Sequence, residues 1–505
     1  MTALCVAIFV HSVEQALRDI ASAAEAGADL VELRLDHIAD PASVQRISQR
    51  SILPCILTCR PPEEGGQSPL SDEPRLTLLS AGARHIDVEL ATYRRIPEVV
   101  RQLLRSIILS THDFTGRPDR LYNILAEMNQ SPAAVNKIVW MARTIRDNLE
   151  AFEILLHRTK PTIALCMGEA GVISRILARK FGGFLTYAAL PADAGTAPGQ
   201  VSIADLKRLY RWDKIGPKTK VYGVVAKPVA HSMSPAIHNA AFDATNHDGV
   251  YLPLLVEPAY ESFKAFMESF LAFEPLHLSG LSITIPHKEN ALRYLKQKGA
   301  AVEPLAQSIG AVNTIATGPL RGFNTDYAAI LDCITTALNI GRDQLAGLRI
   351  AVIGAGGTGR TAVAALAHYG ATVVVYNRTR QRADALAAEF NGKTGKVVAA
   401  PLEKLCDSCC QVYINTTSVG MHPNVNESPL GDKPPKFSPD TLVFDTIYNP
   451  MKTRLLADAQ AAGAQTVSGV EMFVRQAVAQ FEAWTGQPAP VAVMRRVVQQ
   501  RLAAP

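Results

Sequence analysis

The sequence predicts an α/β protein in two halves: an N-terminal (β/α)8 barrel, then a second α/β half containing a Rossmann dinucleotide-binding domain. Three observations lead there. Up to about residue 208, short apolar runs alternate with helical patterns, the rhythm of βα units. A polar stretch with a Gly-Pro pair, "YRWDKIGPKTK" at 210–220, breaks that rhythm. Beyond it, "VIGAGGTGR" sets closely spaced glycines between an apolar strand and a small-residue helix.

The first half offers eight strands in order: "LCVAIFV", "LVELRLD", "CILTCR", "HIDVEL", "SIILSTHDF", "VNKIVWMA", "TIALCMG" and "FLTYAAL". Helical patterns lie between most of them, as in "SVEQALRDIASAAEAGA", which ends on Gly27 and Ala28. Eight βα units point to a closed parallel barrel, compact at about 210 residues beside the typical ~250. An open doubly wound sheet is the alternative. Residues 211–220 read as a linker. A second βα region runs from 221 to about 325, and a βαβ unit opens at 348.

Composition narrows the function classes. At 505 residues the chain is too long for one ordinary domain. Hydrophobic content of 48% with 19% charged residues describes a soluble protein with ample core. The net charge of +5 is small for this length and no block of like charge appears, so nucleic acid and membrane surfaces are not expected partners. The N-terminus has no basic region or cleavage site, and a cytoplasmic protein is expected. Uncharged 361–377 is interrupted by His368 and Gly370, so no membrane span is expected. The eight cysteines lie mostly in apolar runs, as reduced core thiols do. "CDSCC" at 406–410 has half of a zinc spacing without a second pair, so no metal is expected.

Barrel chemistry gathers at the carboxyl ends of the strands, and polar residues sit there. Glu32, Arg34 and Asp36 are two apart and project from one side of the second strand. Arg60 follows the third strand with Glu64 four residues on, "DVEL" carries Asp87 and Glu89, and the fifth strand ends with Ser110 and His112. Lys137 is a lone cation in the sixth, apolar strand. It either snorkels to water or is desolvated on purpose, since a buried amine loses its proton easily and attacks carbonyls. A base, an amine and several anion-binding arginines thus converge on one rim.

These pieces resemble type I 3-dehydroquinate dehydratase, from "ELRLD", "TCRPPEEGG" and "STHDF" through "NKIVWMA", "MGEAGVISR" and "FGGFLTYAAL" to "TAPGQ". The resemblance implies a Schiff-base lysine at Lys137, an acid/base histidine at His112 and its supporting glutamate at Glu64. It implies substrate contacts at Glu32, Arg34, Arg60, Arg175, Thr196 and Gln200, with Thr196 standing where the family often has serine. A neutral amine would add to the ketone of dehydroquinate, and the iminium would act as electron sink for loss of the neighbouring proton and hydroxyl. His112 would shuttle the proton, a task suited to an imidazole titrating near neutrality. "PADAGTAPGQ" at 191–200 would close over the ring.

In the second half, Gly354, Gly356 and Gly359 fit G-x-G-x-x-G, with Gly357 beside them, and the helix N-terminus offers N–H groups to a pyrophosphate. The next strand ends in "YNRTRQR", without the acid of an NAD site. Asn377, Arg378, Thr379 and Arg382 suit the 2′-phosphate of NADP(H). "HSMSP", "SITIPHK", "GAVNT", "GFNTD", "NTTSVGM", "DTIYNP" and "GVEMFVRQAVAQFEAWTG" together resemble shikimate dehydrogenase. That resemblance implies Lys288 and Asp326 as the catalytic pair. It implies Ser232, Ser234, Thr284, Asn313, Tyr448 and Gln476 as substrate contacts, and Gly469 beside the nicotinamide. For Gln476, helical spacing also permits a solvent-facing side chain.

The implied organisation is a barrel over 1–210, a linker over 211–220, a substrate domain over 221–340 completed by helices at 480–505, and a Rossmann domain over 341–479. The product of the first reaction, 3-dehydroshikimate, is the substrate of the second, as in dehydratase–dehydrogenase fusions. Two rival classes are a non-catalytic ring-acid sensor and a Schiff-base aldolase joined to a quinate dehydrogenase. The sensor is expected to lack at least one of Lys137, His112, Lys288 and Asp326. The Arg/Glu set with "TAPGQ" argues against the aldolase.

Overall fold

The computed structural model describes residues 2–104, 106–190, 199–230, 232–392, 394–431 and 435–503. The expected first eight strands all form: β1 (Ala3–Phe9), β2 (Leu30–Arg34), β3 (Cys55–Thr58), β4 (His85–Glu89), β5 (Ile107–Asp113), β6 (Val135–Met141), β7 (Thr162–Met167) and β8 (Leu185–Ala189). They pair in parallel in the order β7-β6-β5-β4-β3-β2-β1-β8, the curled sheet of a (β/α)8 barrel. The seam is bridged just before β8: Phe184 donates from its N to Thr162 O at 2.8 Å and accepts from Ala3 N at 3.0 Å. A short β9 (Val201–Ser202) adds to the outer side of β8.

The helices follow from local chemistry. The first, Val13–Glu25, is N-capped by Ser12, whose Oγ accepts from Gln15 N, and it buries Val13, Ala16, Ile20 and Ala23 at helical spacing. It stops where Gly27 takes φ +91°, a conformation that glycine adopts without strain.

By packing, the chain divides into two compact units, 1–231 with 248–278, and 232–247 with 279–505. The first unit carries β10 (Lys220–Ala226) and β11 (Gly249–Leu255) beside the barrel, paired in parallel. The polar stretch at 211–220 is packed rather than loose: Trp212, Ile215 and Thr219 are buried. Buried Lys180 donates to Pro217 O and Thr219 O, both at 2.8 Å, so a barrel residue holds this stretch in place.

The second unit begins its sheet with β12 (Leu278–Ile283), β13 (Ala301–Val302), β14 (Thr314–Ala316) and β15 (Arg321–Phe323), with antiparallel β12–β14 and β14–β15 pairs. Then come β16 (Arg349–Ile353), β17 (Thr372–Tyr376), β18 (Lys396–Ala400), β19 (Val412–Asn415), β20 (Leu442–Asp445) and β21 (Gln465–Val467). These six are parallel in the order β18-β17-β16-β19-β20-β21, the doubly wound Rossmann arrangement. Ile350, Val352, Val373 and Val375 pack their buried face on Val363 and Leu366 of the glycine-led helix. Among the described residues no helix is long and apolar enough to cross a membrane.

Candidate active sites

A pocket opens inside the barrel, and Glu32, Arg34, Arg60, Glu64, His112, Lys137, Arg175 and Gln200 all line it. Thr196 and most of the expected closing loop lie outside the described residues. Parallel register sets Lys137 opposite Ser110 and His112 opposite Val139, so strand alternation turns the amine and the imidazole toward one space.

Lys137 is 4% exposed, so it does not snorkel, and charged groups surround it. Its Nζ donates to Asp87 Oδ2 at 2.8 Å, lies 3.5 Å from Glu32 Oε1, and sits 4.6 Å above the Tyr187 ring. Asp87 is shared with Arg60, whose Nη2 is 3.0 Å away. Burial pushes the Asp87 carboxyl up, but the Arg60 and Lys137 cations outweigh it and hold the group well below the usual carboxylate range. Ser110 Oγ and Thr58 Oγ1 donate to Asp87 and Glu32 at 2.5 and 2.6 Å and fix both carboxylates. Asp87 is legible in the sequence as a strand-end carboxylate, but its pairing with Lys137 is not. The available signal was its two-residue spacing from Glu89, which turns both inward.

Glu64 ends a short turn, Pro62–Glu64, which Gly65 closes at φ +75°. That left-handed φ favours glycine, and the exposed Phe114 ring lies directly over it. That turn sets Glu64 Oε2 at 3.2 Å from the His112 backbone N and 3.3 Å from its Nδ1, while Arg60 Nη1 stands 3.1 Å from the same Nδ1. Burial raises the Glu64 carboxyl to about 7 against the opposing Arg60 charge. Burial, then Arg60 and Lys137, push the His112 imidazole well below its ordinary value, below the near-neutral titration expected. Arg175 is also buried, with its Nε lacking a partner among the described residues, and burial lowers it to about 10. A buried guanidinium left in this state is a seat for an anion.

In the second unit, Lys288 opens the helix Lys288–Gln297 and Asp326 lies in the first turn of Thr325–Leu338. Asn324 caps the latter helix through Oδ1, accepting from Asp326 N at 3.1 Å. Lys288 Nζ meets Asp326 Oδ2 at 2.7 Å, and the two side chains are 31% and 15% exposed, so the pair is half open. Asn313 is buried, its Oδ1 accepting from Thr325 N at 2.8 Å and its Nδ2 donating to Thr325 Oγ1 at 3.0 Å. The helix start that carries Asp326 therefore also orients Asn313. Gln480, missed in the sequence, braces this corner by donating to Thr314 Oγ1 and accepting from Ser282 Oγ.

The other expected contacts form separate groups, with no hydrogen bond to the Lys288–Asp326 pair among the described residues. Ser234 N donates to Ser232 Oγ at 3.3 Å, and half-buried Thr284 follows β12 directly. Gln476 is 9% exposed and donates to Phe473 O, so it does not face solvent. Tyr448 stacks on that same Phe473 at 5.2 Å. A Cβ on Gly469 would meet Thr446 O at 2.3 Å, so this helix start must be glycine.

The glycine loop follows β16. Gly354 takes φ +110°, and a Cβ on Gly359 would meet Gly354 O at 2.2 Å. Nothing stands within 4 Å of a Cβ on Gly356 or Gly357, so the first turn of the helix Gly357–His368 faces open space, as pyrophosphate requires. Asn377 Oδ1 accepts from Ala355 N and its Nδ2 donates to Thr379 O, tying the end of β17 to the loop. Arg378 and Arg382 are exposed and make no ion pair among the described residues, whereas Arg380 is spent on Asp384. The cradle fits a phosphorylated dinucleotide.

The family model for type I 3-dehydroquinase matches residues 4–217. The shikimate dehydrogenase substrate binding domain matches 224–315, shikimate/quinate 5-dehydrogenase 336–445, and the shikimate 5′-dehydrogenase C-terminal domain 469–499. The chloroplastic bifunctional 3-dehydroquinate dehydratase/shikimate dehydrogenase of Arabidopsis thaliana is 40% identical over 519 residues, spanning 96% of this chain and 82% of that protein. The chain belongs to the bifunctional 3-dehydroquinate dehydratase/shikimate dehydrogenase family.

Within this bifunctional family assignment, the second half has further relatives. The shikimate dehydrogenase (NADP(+)) of Methanosarcina barkeri is 40% identical over 292 residues, 56% of this chain and 99% of that one. A crystal structure of a shikimate dehydrogenase in complex with NADP+ superposes with TM-score 0.51 at 33% identity, covering 57% of this chain and 97% of that one. The dehydratase match contains all of the barrel cavity, whereas Asp326 and Tyr448 fall between the matched stretches of the dehydrogenase half.

Proposed function

We propose that the chain carries out two successive steps of the shikimate pathway: dehydration of 3-dehydroquinate to 3-dehydroshikimate, then reduction of 3-dehydroshikimate to shikimate with NADPH. One observation carries this best. A buried amine at Lys137 shares one pocket with an imidazole and a guanidinium poised for an anion. The expected division into 1–210, 211–220, 221–340 with 480–505, and 341–479 belongs to this reading, as does a cytoplasmic setting, which eight unpaired cysteines support. The test is direct: the purified chain, given dehydroquinate and NADPH, should form shikimate, and no product in either step would refute it.

In the barrel, Lys137 adds through Nζ to the substrate ketone, and water leaves to give an iminium. Attack requires the lone pair of Nζ, and Glu32 Oε1 at 3.5 Å is a proton acceptor in reach. His112, kept neutral by burial and Arg60, takes the proton beside the iminium and returns it to the departing hydroxyl. Arg34, Arg175 and Gln200 hold the ring's carboxylate and hydroxyls. Hydrolysis of the product iminium restores the amine.

Glu64 gives this half a pH signature. Above about 7 its carboxylate stabilises the imidazolium that His112 becomes on taking a proton; below about 7 it is neutral and does not. Dehydratase kcat/KM is therefore expected to rise as pH passes upward through 7. In Glu64→Gln that rise should vanish, with the rate about 10- to 100-fold lower. A profile retaining its inflection near 7 would remove Glu64 from this role.

In the second half, NADP(H), when bound, supplies the hydride. Gly354, Gly356, Gly357 and Gly359 would cradle its pyrophosphate, Asn377, Arg378, Thr379 and Arg382 its 2′-phosphate, and Gly469 would lie beside the nicotinamide. Lys288 donates a proton to the ketone oxygen as charge gathers there, and Asp326 aims Lys288. Ser232, Ser234, Thr284, Asn313, Tyr448 and Gln476 hold the ring. Removing both free arginines, Arg378→Ala with Arg382→Ala, should raise KM for NADPH about 10- to 100-fold while barely changing KM for NADH. Equal losses with both cofactors would overturn the 2′-phosphate assignment. Parallel assays with quinate and shikimate separate this reading from a quinate dehydrogenase.

A further inference from the structure

Three of the eight cysteines stand within five residues, in "CDSCC" at 406–410. Neither proposed active site uses them, and no group of three or more His, Cys, Asp or Glu suited to a metal exists among the described residues. Burial divides the thiols sharply. Cys5, Cys55, Cys59, Cys166, Cys333 and Cys410 are buried, and burial pushes each of those thiols up, away from the reactive thiolate. Cys406 and Cys409 alone are exposed.

The chain between the exposed pair is already folded back. Ser408 donates to Leu405 O through both its N, at 3.2 Å, and its Oγ, at 2.5 Å, closing a tight turn. Tyr413 OH clamps both sides of Cys409, donating to Ser408 O at 2.7 Å and accepting from Cys410 N at 3.3 Å. Cys406 Sγ lies at this turn, 3.3 Å from Glu403 O and 3.7 Å from Asp407 Oδ1, along a surface cleft that Cys409 and Lys436 also line. The cleft gives a small reagent access to both sulfurs, and the two intervening residues keep the sulfurs at high local concentration. The pair precedes the amino end of β19, whereas the glycine loop follows the carboxyl end of its parallel neighbour β16. The thiols thus stand at the opposite edge of the sheet from the dinucleotide cradle.

We propose that Cys406 and Cys409 form a redox-active dithiol that closes reversibly to an intramolecular disulfide by exchange with a small-molecule disulfide. One thiolate attacks the small disulfide and releases one thiol. The second thiolate then attacks the protein-bound sulfur, forms the Cys406–Cys409 bond and releases the second thiol. The protein loses two electrons and two protons, and the small disulfide is reduced to two thiols.

The test uses the full chain and oxidised glutathione. In the native chain two thiols should react rapidly with DTNB, and the remainder only after unfolding. After treatment with oxidised glutathione, the peptide spanning 406–410 should be lighter by about 2 Da, and a reductant should reverse the change. In Cys409→Ser, Cys406 should instead retain a glutathione adduct, because the resolving thiol is gone. Wild-type protein that keeps both thiols free, accumulates stable glutathione adducts, or pairs either cysteine with Cys410 would overturn the assignment.

Discussion

Lys137→Met should lower dehydratase kcat by at least about three orders of magnitude while leaving NADPH-linked reduction of 3-dehydroshikimate unchanged. Methionine keeps much of the side chain's bulk and removes the amine, both as nucleophile and as cation. The second activity, on the same polypeptide, is a built-in control for folding. Some stability should also be lost, because Asp87 is fully buried and loses the cation at 2.8 Å. Arg60 stays 3.0 Å away, so the loss should fall short of the ~3–5 kcal/mol typical of a stranded buried charge. Borohydride added with dehydroquinate should label wild-type protein at Lys137 and leave the variant unlabelled. Dehydratase turnover surviving in the variant would sink the Schiff-base route.

The mirror experiment is Lys288→Met. Reductase activity should fall about 10²- to 10⁴-fold, the range for loss of a general acid that also stabilises developing charge. Dehydratase activity should remain at the wild-type level. The chemical defect should come with little structural cost, since Lys288 is 31% exposed and Asp326 reaches water once unpaired. Asp326→Asn preserves an acceptor for the Lys288 ammonium but not the charge, so its loss should be smaller, about 10-fold. A Lys288→Met chain that reduces dehydroshikimate at the wild-type rate would remove this pair from the chemistry. Each lysine variant silences one reaction, and mixing the two variants should restore the sequence from dehydroquinate to shikimate.

Much of this was readable in one dimension. The eight barrel strands fall where apolar runs predict them, because two-residue alternation is a local property that tertiary context here only reinforces. The glycine loop and the missing acid after β17 are also local, since backbone clearance and a strand-end charge depend on near neighbours. Lys137, His112 and Arg60 could be named as a group because every barrel strand delivers its carboxyl end to one rim.

The partners of those residues were not readable. Glu32 and Asp87 lie 105 and 50 positions from Lys137, and only barrel curvature and strand register bring them to its amine. The same holds for His112, whose titration was expected near neutrality but is driven down by a guanidinium 52 residues away. A composition-based linker became a packed strap because Lys180 reaches Pro217 and Thr219. The succession of strands and helices and the glycine cradle thus follow from chain order, since both rest on short-range sterics and periodicity. Three-dimensional packing sets the carboxylates around Lys137, the placing of Asn313 by the helix that carries Asp326, and which two of eight thiols face water. Charge interaction and desolvation act through space, across strands that chain order leaves far apart.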